Sequence, residues 1–117
     1  MKILIVDDDP EIIEMLSAFL KTLDHQVISA PSGEECMRQI VLFEPNIVFV
    51  DICLPDKDGI ELLKEIKLLK RNLPVIMITG YKEAEKVIDA FRYGALDCLL
   101  KPFNFDYIKN LLLQIRL

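Results

Sequence analysis

The chain has 117 residues, of which 52% are hydrophobic and 28% charged, and its formal net charge is −5. That length suits one domain around one core, with the make-up of a soluble globular protein. An acidic balance argues against nucleic-acid binding by this domain alone, since phosphates need a basic patch. No apolar stretch approaches the ~20 residues of a membrane span, and the opening run from Met1 to Val6 is too short for a signal peptide.

In chain order, Ile3 to Val6 is an apolar run that ends on Asp7-Asp8-Asp9. Asp9-Pro10-Glu11 reads as a helix start, with Asp9 as N-cap, Pro10 at the first helical position and Glu11 at the positive end of the dipole. The helix is predicted to run through about Leu23, because Ile13, Leu16, Leu20 and Leu23 recur at helical spacing. Ile12, Met15 and Phe19 make a second stripe; Phe19 is expected in the core, and Ile12 and Met15, just after the acids, are candidates for a hydrophobic contact with a partner's helices. Asp24-His25 breaks the helix, and Gln26 to Ala30 is a second strand.

Ser32-Gly33-Glu34-Glu35 fits the S-x-x-E capping box, and its helix is predicted to reach Phe43 before Glu44-Pro45 stops it. Asn46 to Asp51 is a third strand, apolar until it meets a carboxylate, as expected for a strand buried on both faces. Pro55 and Asp58-Gly59 mark a turning loop. A third helix over Ile60 to Lys70 is expected to bury Leu62, Leu63, Ile66 and Leu69. A fourth strand, Pro74 to Thr79, ends on a hydroxyl and is followed by Gly80.

Lys82 to Tyr93 is predicted as a fourth helix with a thin stripe of Ala84, Val87, Ile88 and Phe91, terminated by Gly94. Leu96 to Leu100 is a short fifth strand ending at Lys101-Pro102. Asn104 caps a last helix, whose Leu111, Leu112, Leu113, Ile115 and Leu117 exceed what one buried face needs and suggest a dimer or partner surface. Cys36, Cys53 and Cys98 lack any CxxC spacing and are expected to be reduced thiols of a cytoplasmic protein. His25 is the one histidine and is expected at the surface.

The β-α alternation repeats five times. It predicts an α/β fold, one doubly wound (βα)5 domain with a parallel sheet in strand order 2-1-3-4-5. The switch point then falls between the first and third strands, where Asp7, Asp8 and Asp51 stand, with Thr79 and Lys101 ending neighbouring strands on the same side. Three close carboxylates repel unless something compensates them. Mg²⁺ suits such a hard-oxygen site and usually takes one or two carboxylates plus a phosphate. Lys101, the Thr79 hydroxyl and the Gly80 N–H are placed to grip phosphoryl oxygens, and a carboxylate can itself be the nucleophile that forms an aspartyl phosphate.

Four segments then carry a resemblance: Val6 to Pro10, Val50 to Gly59, Met77 to Gly80 and Gly94 to Phe103. In their order and spacing the chain, essentially from 1 to 117, resembles a receiver domain of bacterial two-component response regulators, which implies the flavodoxin-like form of the fold. The resemblance implies that Asp51 is the phosphoacceptor. It implies that Asp8, Asp51 and the backbone carbonyl of Cys53 bind Mg²⁺, with Asp7 acting through metal-bound water. Thr79 and Lys101 would hold the phosphoryl group, and a histidine kinase or histidine phosphotransfer protein would donate it. The receiver would catalyse only its own phosphorylation and slow dephosphorylation, and would signal to an output domain or partner protein. The sequence fits either a stand-alone regulator or the receiver of a longer protein.

Two departures from the family pattern stand out. Cys98 replaces the tyrosine or phenylalanine usual three residues before the lysine, which puts the usual readout in question, and Lys57 replaces a common methionine and is expected to be an inconsequential surface change. By the same resemblance the side chains of Cys53 and Tyr81 flank the path of the hydrolytic water, and a bulky Tyr81 is expected to shield the phosphoryl group and slow its loss. Two other classes compete with the switch. A Mg²⁺-dependent phosphatase using an aspartyl intermediate would often place a general acid two residues after Asp51, where this chain has Cys53. A phosphorylation-independent interaction module would typically have lost an acid, the threonine or the lysine, and this chain keeps all of them.

Overall fold

The computed structural model of the chain describes residues 1–115, the side chain of Tyr81 excepted. The expectations for Leu117 and for shielding by the Tyr81 ring therefore lie outside the described residues. Five strands, β1 (Lys2–Val6), β2 (Gln26–Ala30), β3 (Ile47–Asp51), β4 (Val75–Thr79) and β5 (Asp97–Leu100), form one parallel sheet in the order β2-β1-β3-β4-β5. The helices are α1 (Pro10–Thr22), α2 (Gly33–Phe43), α3 (Gly59–Leu69), α4 (Val87–Arg92) and α5 (Phe105–Gln114). A 3-10 turn, Tyr81–Lys86, joins β4 to α4. The expected doubly wound fold and strand order are thus both present.

Alternation along each strand sorts the core into two layers, because successive side chains leave a strand on opposite faces. Leu4, Val6, Val48, Val50, Val75 and Met77 pack with α2 and α3 residues such as Ile40, Leu63 and Ile66. Ile3, Ile5, Ile47, Phe49, Ile76 and Ile78 pack on the other side with Leu16 and Leu20 of α1 and with Ile108 and Leu112 of α5. Each central strand therefore reads as an unbroken apolar run: both of its faces are covered. The run can stop on a polar residue only at the carboxyl end, where the helices no longer cover it.

The helix starts follow their caps. Asp9 accepts from the Glu11 N–H at 3.0 Å, Ser32 from the Glu35 N–H at 3.2 Å, and Asn104 from the Tyr107 N–H at 3.0 Å. The capping box at α2 is only half formed, however. The Glu35 side chain accepts from Gln39 instead of reaching back, and the Gly33 and Glu34 N–H groups donate to Asp56, at 2.9 and 3.0 Å. A loop acid far along the chain thus serves the orphan donors of α2.

Three readings of helices need correction. Asp58 is the N-cap of α3, its carboxylate accepting from Ile60 N–H at 2.7 Å, so that helix begins at Gly59. Leu69, at its far end, is exposed, and Ile60 takes the buried place. The single fourth helix over Lys82 to Tyr93 is instead a 3-10 turn followed by a six-residue α4. Most of its expected thin stripe faces outward: Ala84 is exposed, Ile88 is 71% exposed and Phe91 49%, Val87 is half-buried, and the fully buried residue is Ala90. A short helix with one small buried side chain presents its bulky residues to solvent because the alanine permits close approach to the sheet. Gly94 does terminate α4, at φ 99°.

Phe19 lies in the core layer as expected, stacked on Phe105 with ring centroids 4.5 Å apart. Met15 is 41% exposed. Lys57 is more than a surface change. Its aliphatic stem lies over Gly33, where an added Cβ would come within 2.8 Å of it, and its ammonium pairs with Glu65 at 2.8 Å.

Candidate functional site

The site forms where β1 and β3 lie side by side and the chain leaves them in opposite directions. Val6 pairs with Val50, so the next residues, Asp7 and Asp51, emerge together at the carboxyl edge. Asp7 is fully buried, Asp51 nearly so, and Asp8 exposed. One carboxylate oxygen from each of the three lies within 4.8 Å of the others. Lys101, delivered by the end of β5, brings its ammonium 3.0 Å from Asp51 Oδ2 and 3.7 Å from Asp7 Oδ2.

The hydrogen bonds around the acids are unequal. Asp51 Oδ1 accepts from Cys53 N–H at 2.9 Å, and Asp7 Oδ1 accepts from Asp9 N–H at 2.9 Å. Asp7 Oδ2 is buried without a hydrogen-bond partner, Lys101 lying beyond bonding distance. Burial, followed by the neighbouring Asp51 charge, pushes the Asp7 carboxyl up to about 6, against the pull of the Asp9 N–H and Lys101. An orphaned buried carboxylate oxygen facing two further carboxylates fits a hard divalent cation, which supplies the charge that one lysine does not. Asp8, Asp51 and Asp7 are the side chains that would hold Mg²⁺.

The remaining expected residues are close but differently engaged. Thr79, buried at the end of β4, donates its hydroxyl to the Gly80 carbonyl at 3.1 Å rather than toward Asp51. The Gly80 N–H, expected to be free for a phosphoryl oxygen, donates to Glu83 Oε2 at 3.2 Å. The other oxygen of Glu83 accepts from the Cys53 thiol at 3.0 Å. That bond, with burial adding to it, holds the Cys53 thiol up at about 11, and the same thiol lowers the Glu83 carboxyl. For Lys101 the causes oppose one another: desolvation pulls its ammonium down, but Asp51 and Asp7 outweigh this and leave it raised.

Two contacts that the sequence did not announce hold the surrounding loops. Asp58 pairs with Lys86 at 2.6 Å, tying the start of α3 to the end of the 3-10 turn. Gly59 donates its N–H to the Ile52 carbonyl at 2.6 Å, and an added Cβ there would stand 2.6 Å from Ile52 Cα. Only a glycine lets the loop fold back this tightly beneath Asp51. Cys36 is buried, Cys53 exposed and Cys98 between the two, all as free thiols. Cys98 packs against the layer that holds α2, α3 and α4. A surface cleft of about 490 Å³, lined by Ile40, Pro45, Leu69 and Leu73 among others, includes none of the site residues.

Comparison with known proteins bears on this arrangement. The family model for the response regulator receiver domain matches residues 3–113. The regulatory protein AtoC of Escherichia coli is 36% identical over 113 residues, covering 97% of this chain. The chain spans about a quarter of the length of AtoC, 24%. The receiver domain of NtrX from Brucella abortus superposes with a TM-score of 0.91 at 34% identity, over 96% of this chain and 95% of that one. The BeF3-activated N-terminal receiver domain of RstA from Klebsiella pneumoniae gives 0.90 at 30% identity, over 100% of both. Among the described residues, no helix is long and apolar enough to cross a membrane.

Proposed function

The chain belongs to the response regulator receiver family, and from that premise we propose that residues 1–117 act as one receiver domain in which phosphorylation of Asp51 is the signal. Proteins of this family serve two-component signalling. The observation that carries the finer reading is the pairing of Asp51 with Lys101 at 3.0 Å beside the unsatisfied Asp7 Oδ2. Such a cluster has a carboxylate able to act as nucleophile, a fixed cation, and an unsatisfied buried oxygen that a second cation would satisfy.

The chemistry follows from these groups. A carboxylate oxygen of Asp51 attacks the phosphorus of a phosphohistidine in line with the leaving nitrogen. The O–P bond forms as the P–N bond breaks, the electron pair goes to the imidazole, and that nitrogen takes a proton from water. The Cys53 N–H fixes the orientation of the attacking carboxylate through Oδ1. Lys101 moves its charge from Asp51 Oδ2 onto a phosphoryl oxygen as the bond forms, and Thr79 turns its hydroxyl from the Gly80 carbonyl to another. Asp8, Asp51 and the Cys53 carbonyl would hold Mg²⁺, with Asp7 reaching it through water, and the ion would supply charge that offsets that of the phosphoryl oxygens.

The donor is a histidine kinase or a histidine phosphotransfer protein. AtoC, whose length this chain matches over about a quarter, is by name a regulatory protein. An output domain or partner protein is accordingly the recipient of the signal. Incubation with Mg²⁺ and a small phosphodonor, followed by intact mass, tests the assignment. The protein should gain one phosphoryl group, and Asp51→Asn, nearly the same shape but no nucleophile, should gain none while staying folded. An acid-labile phosphoryl group on the Asp51→Asn variant would refute it.

A further inference from the structure

The Glu83 carboxylate occupies the Gly80 N–H, a backbone donor that a phosphoryl group on Asp51 would need. Its Oε2 takes the Gly80 N–H at 3.2 Å, and its Oε1 takes the Cys53 thiol at 3.0 Å, two residues after the phosphoacceptor. The Glu83 N–H in turn donates to the Gly80 carbonyl at 3.1 Å. Reciprocal capping of the turn accounts for one carboxylate oxygen. It does not account for the second oxygen, which spans from the 3-10 turn to the loop after Asp51. The ion pair of Lys86 with Asp58, at 2.6 Å, fastens the other end of the same turn to the same loop. Cys53 and Asp58 are themselves joined by an antiparallel bridge, so both fastenings pull on one small unit.

We propose that Glu83 is an internal competitor for the phosphoryl site, a latch that holds the 3-10 turn closed until the phosphoryl group displaces it. This rests on the reading of Asp51 as phosphoacceptor. One N–H serves one strong acceptor, so Gly80 cannot bond Glu83 and a phosphoryl oxygen equally well. The two acceptors are both anions near Lys101, and like charges at that range repel. When the phosphoryl group claims Gly80, Glu83 leaves, the cap on the turn is lost and the Cys53 thiol is freed. The Lys86–Asp58 pair still fastens the far end of the turn, and the loosened near end carries α4 with it. A chain lacking the usual aromatic near its lysine thereby has a direct route from the phosphoryl group to α4.

Beryllofluoride, an equilibrium mimic of the acyl phosphate, tests this without turnover. Its apparent Kd at saturating Mg²⁺ would be measured by calorimetry for the native chain, Glu83→Ala and Glu83→Gln. The alanine variant should bind about tenfold more tightly, the scale of one charge-assisted hydrogen bond removed from competition. The glutamine variant keeps the size and the cap and should fall between the two, which preserves the test if alanine disturbs folding. Amide exchange over residues 80–87 should quicken on analogue binding in the native chain, and be fast already in Glu83→Ala. Equal affinity in all three, with the native chain binding the analogue, overturns the latch and leaves the Asp51 reading intact. Failure of all three to bind it overturns both.

Discussion

Asp7 and Asp51 share one cation: Lys101 Nζ lies 3.0 Å from Asp51 Oδ2 and 3.7 Å from Asp7 Oδ2. The nearer acid is paired and the buried one keeps an oxygen with no partner. Without a metal ion, this is an arrangement that opposes folding. Replacing Asp7 by asparagine removes one of two like charges and should stabilise the protein in chelator by about 1 kcal/mol, the usual scale of relieving an unsatisfied buried group. Saturating Mg²⁺ should erase that advantage, because a cation that binds only the folded native chain adds stability by mass action. Urea unfolding with and without Mg²⁺ checks both halves. A destabilised Asp7→Asn in chelator would contradict the account. Asp8, exposed and free to coordinate directly, should lose more Mg²⁺ affinity on truncation to alanine than Asp7 does, as read by calorimetry.

Gly59→Ala should be costly for a reason the turn pattern alone does not give. The new Cβ would stand 2.6 Å from Ile52 Cα and 2.9 Å from the Ile52 carbonyl oxygen, both backbone atoms that cannot rotate away. The strand end that carries Asp51 must shift to admit it. Overpacking of this kind costs about 1–3 kcal/mol. Unlike a helix-propensity effect, it should also slow phosphorylation by a small donor. A variant with native stability and a native rate of phosphorylation would show that the loop yields without moving Asp51.

Much of the site is legible in the order of the residues, and the limit lies in what a linear pattern can carry. Buried central strands are apolar throughout, so a terminal acid, threonine or lysine marks the open edge of the sheet; Asp51, Thr79 and Lys101 each announce their place in this way. The caps at Asp9, Ser32 and Asn104 are contacts within a few residues and are readable for the same reason. Contacts between distant loops are not. Asp56 on the α2 N-terminus, Lys57 over Gly33 and Cys53 with Glu83 join residues more than 20 positions apart. Glu83 does carry a faint signal, three residues after a glycine at the start of a turn, but a glycine cap has no side chain and breaks the usual S/T-x-x-E form. The outward turn of Ile88 and Phe91 is hidden because apolar spacing on a short helix does not say which side meets the sheet.

Met15 stands exposed on α1, a helix that begins directly after the acidic cluster, while Leu16 and Leu20 face the sheet. An apolar side chain left out of the core, on the helix that follows the acids, suits a contact with the helices of a phosphodonor protein. Met15→Lys should therefore lower transfer from the cognate histidine protein by about tenfold, within the range of a contact at the centre of an interface. Transfer from a small-molecule donor should be unchanged, since Met15 touches none of the reacting groups. Equal loss with both donors would trace the effect to the fold or the site instead.

Cys98 occupies the position where the family usually turns an aromatic ring, opposite Met77 in the sheet and against the α2–α4 layer. A thiol has no ring to turn, so readout must use what is loosely held nearby. That is α4, six residues long with Ala90 as its fully buried side chain and with Ile88 and Phe91 exposed. A helix with so little buried surface opens at low free-energy cost. In the unphosphorylated protein, amides of residues 87–92 should exchange faster than those of α1 or α3. A phosphate mimic should change exchange over residues 80–93 while leaving residues 97–100 nearly as before, because the neighbouring strand β4 holds β5 in register whatever the state of α4. Cys98→Tyr adds a ring that must find room beneath α4 or swing outward, so it should alter self-association or partner binding, followed by sedimentation, more than it alters the rate of phosphorylation. If residues 80–93 stay as protected with the mimic as without it, α4 is not the moving part and the signal leaves by another face.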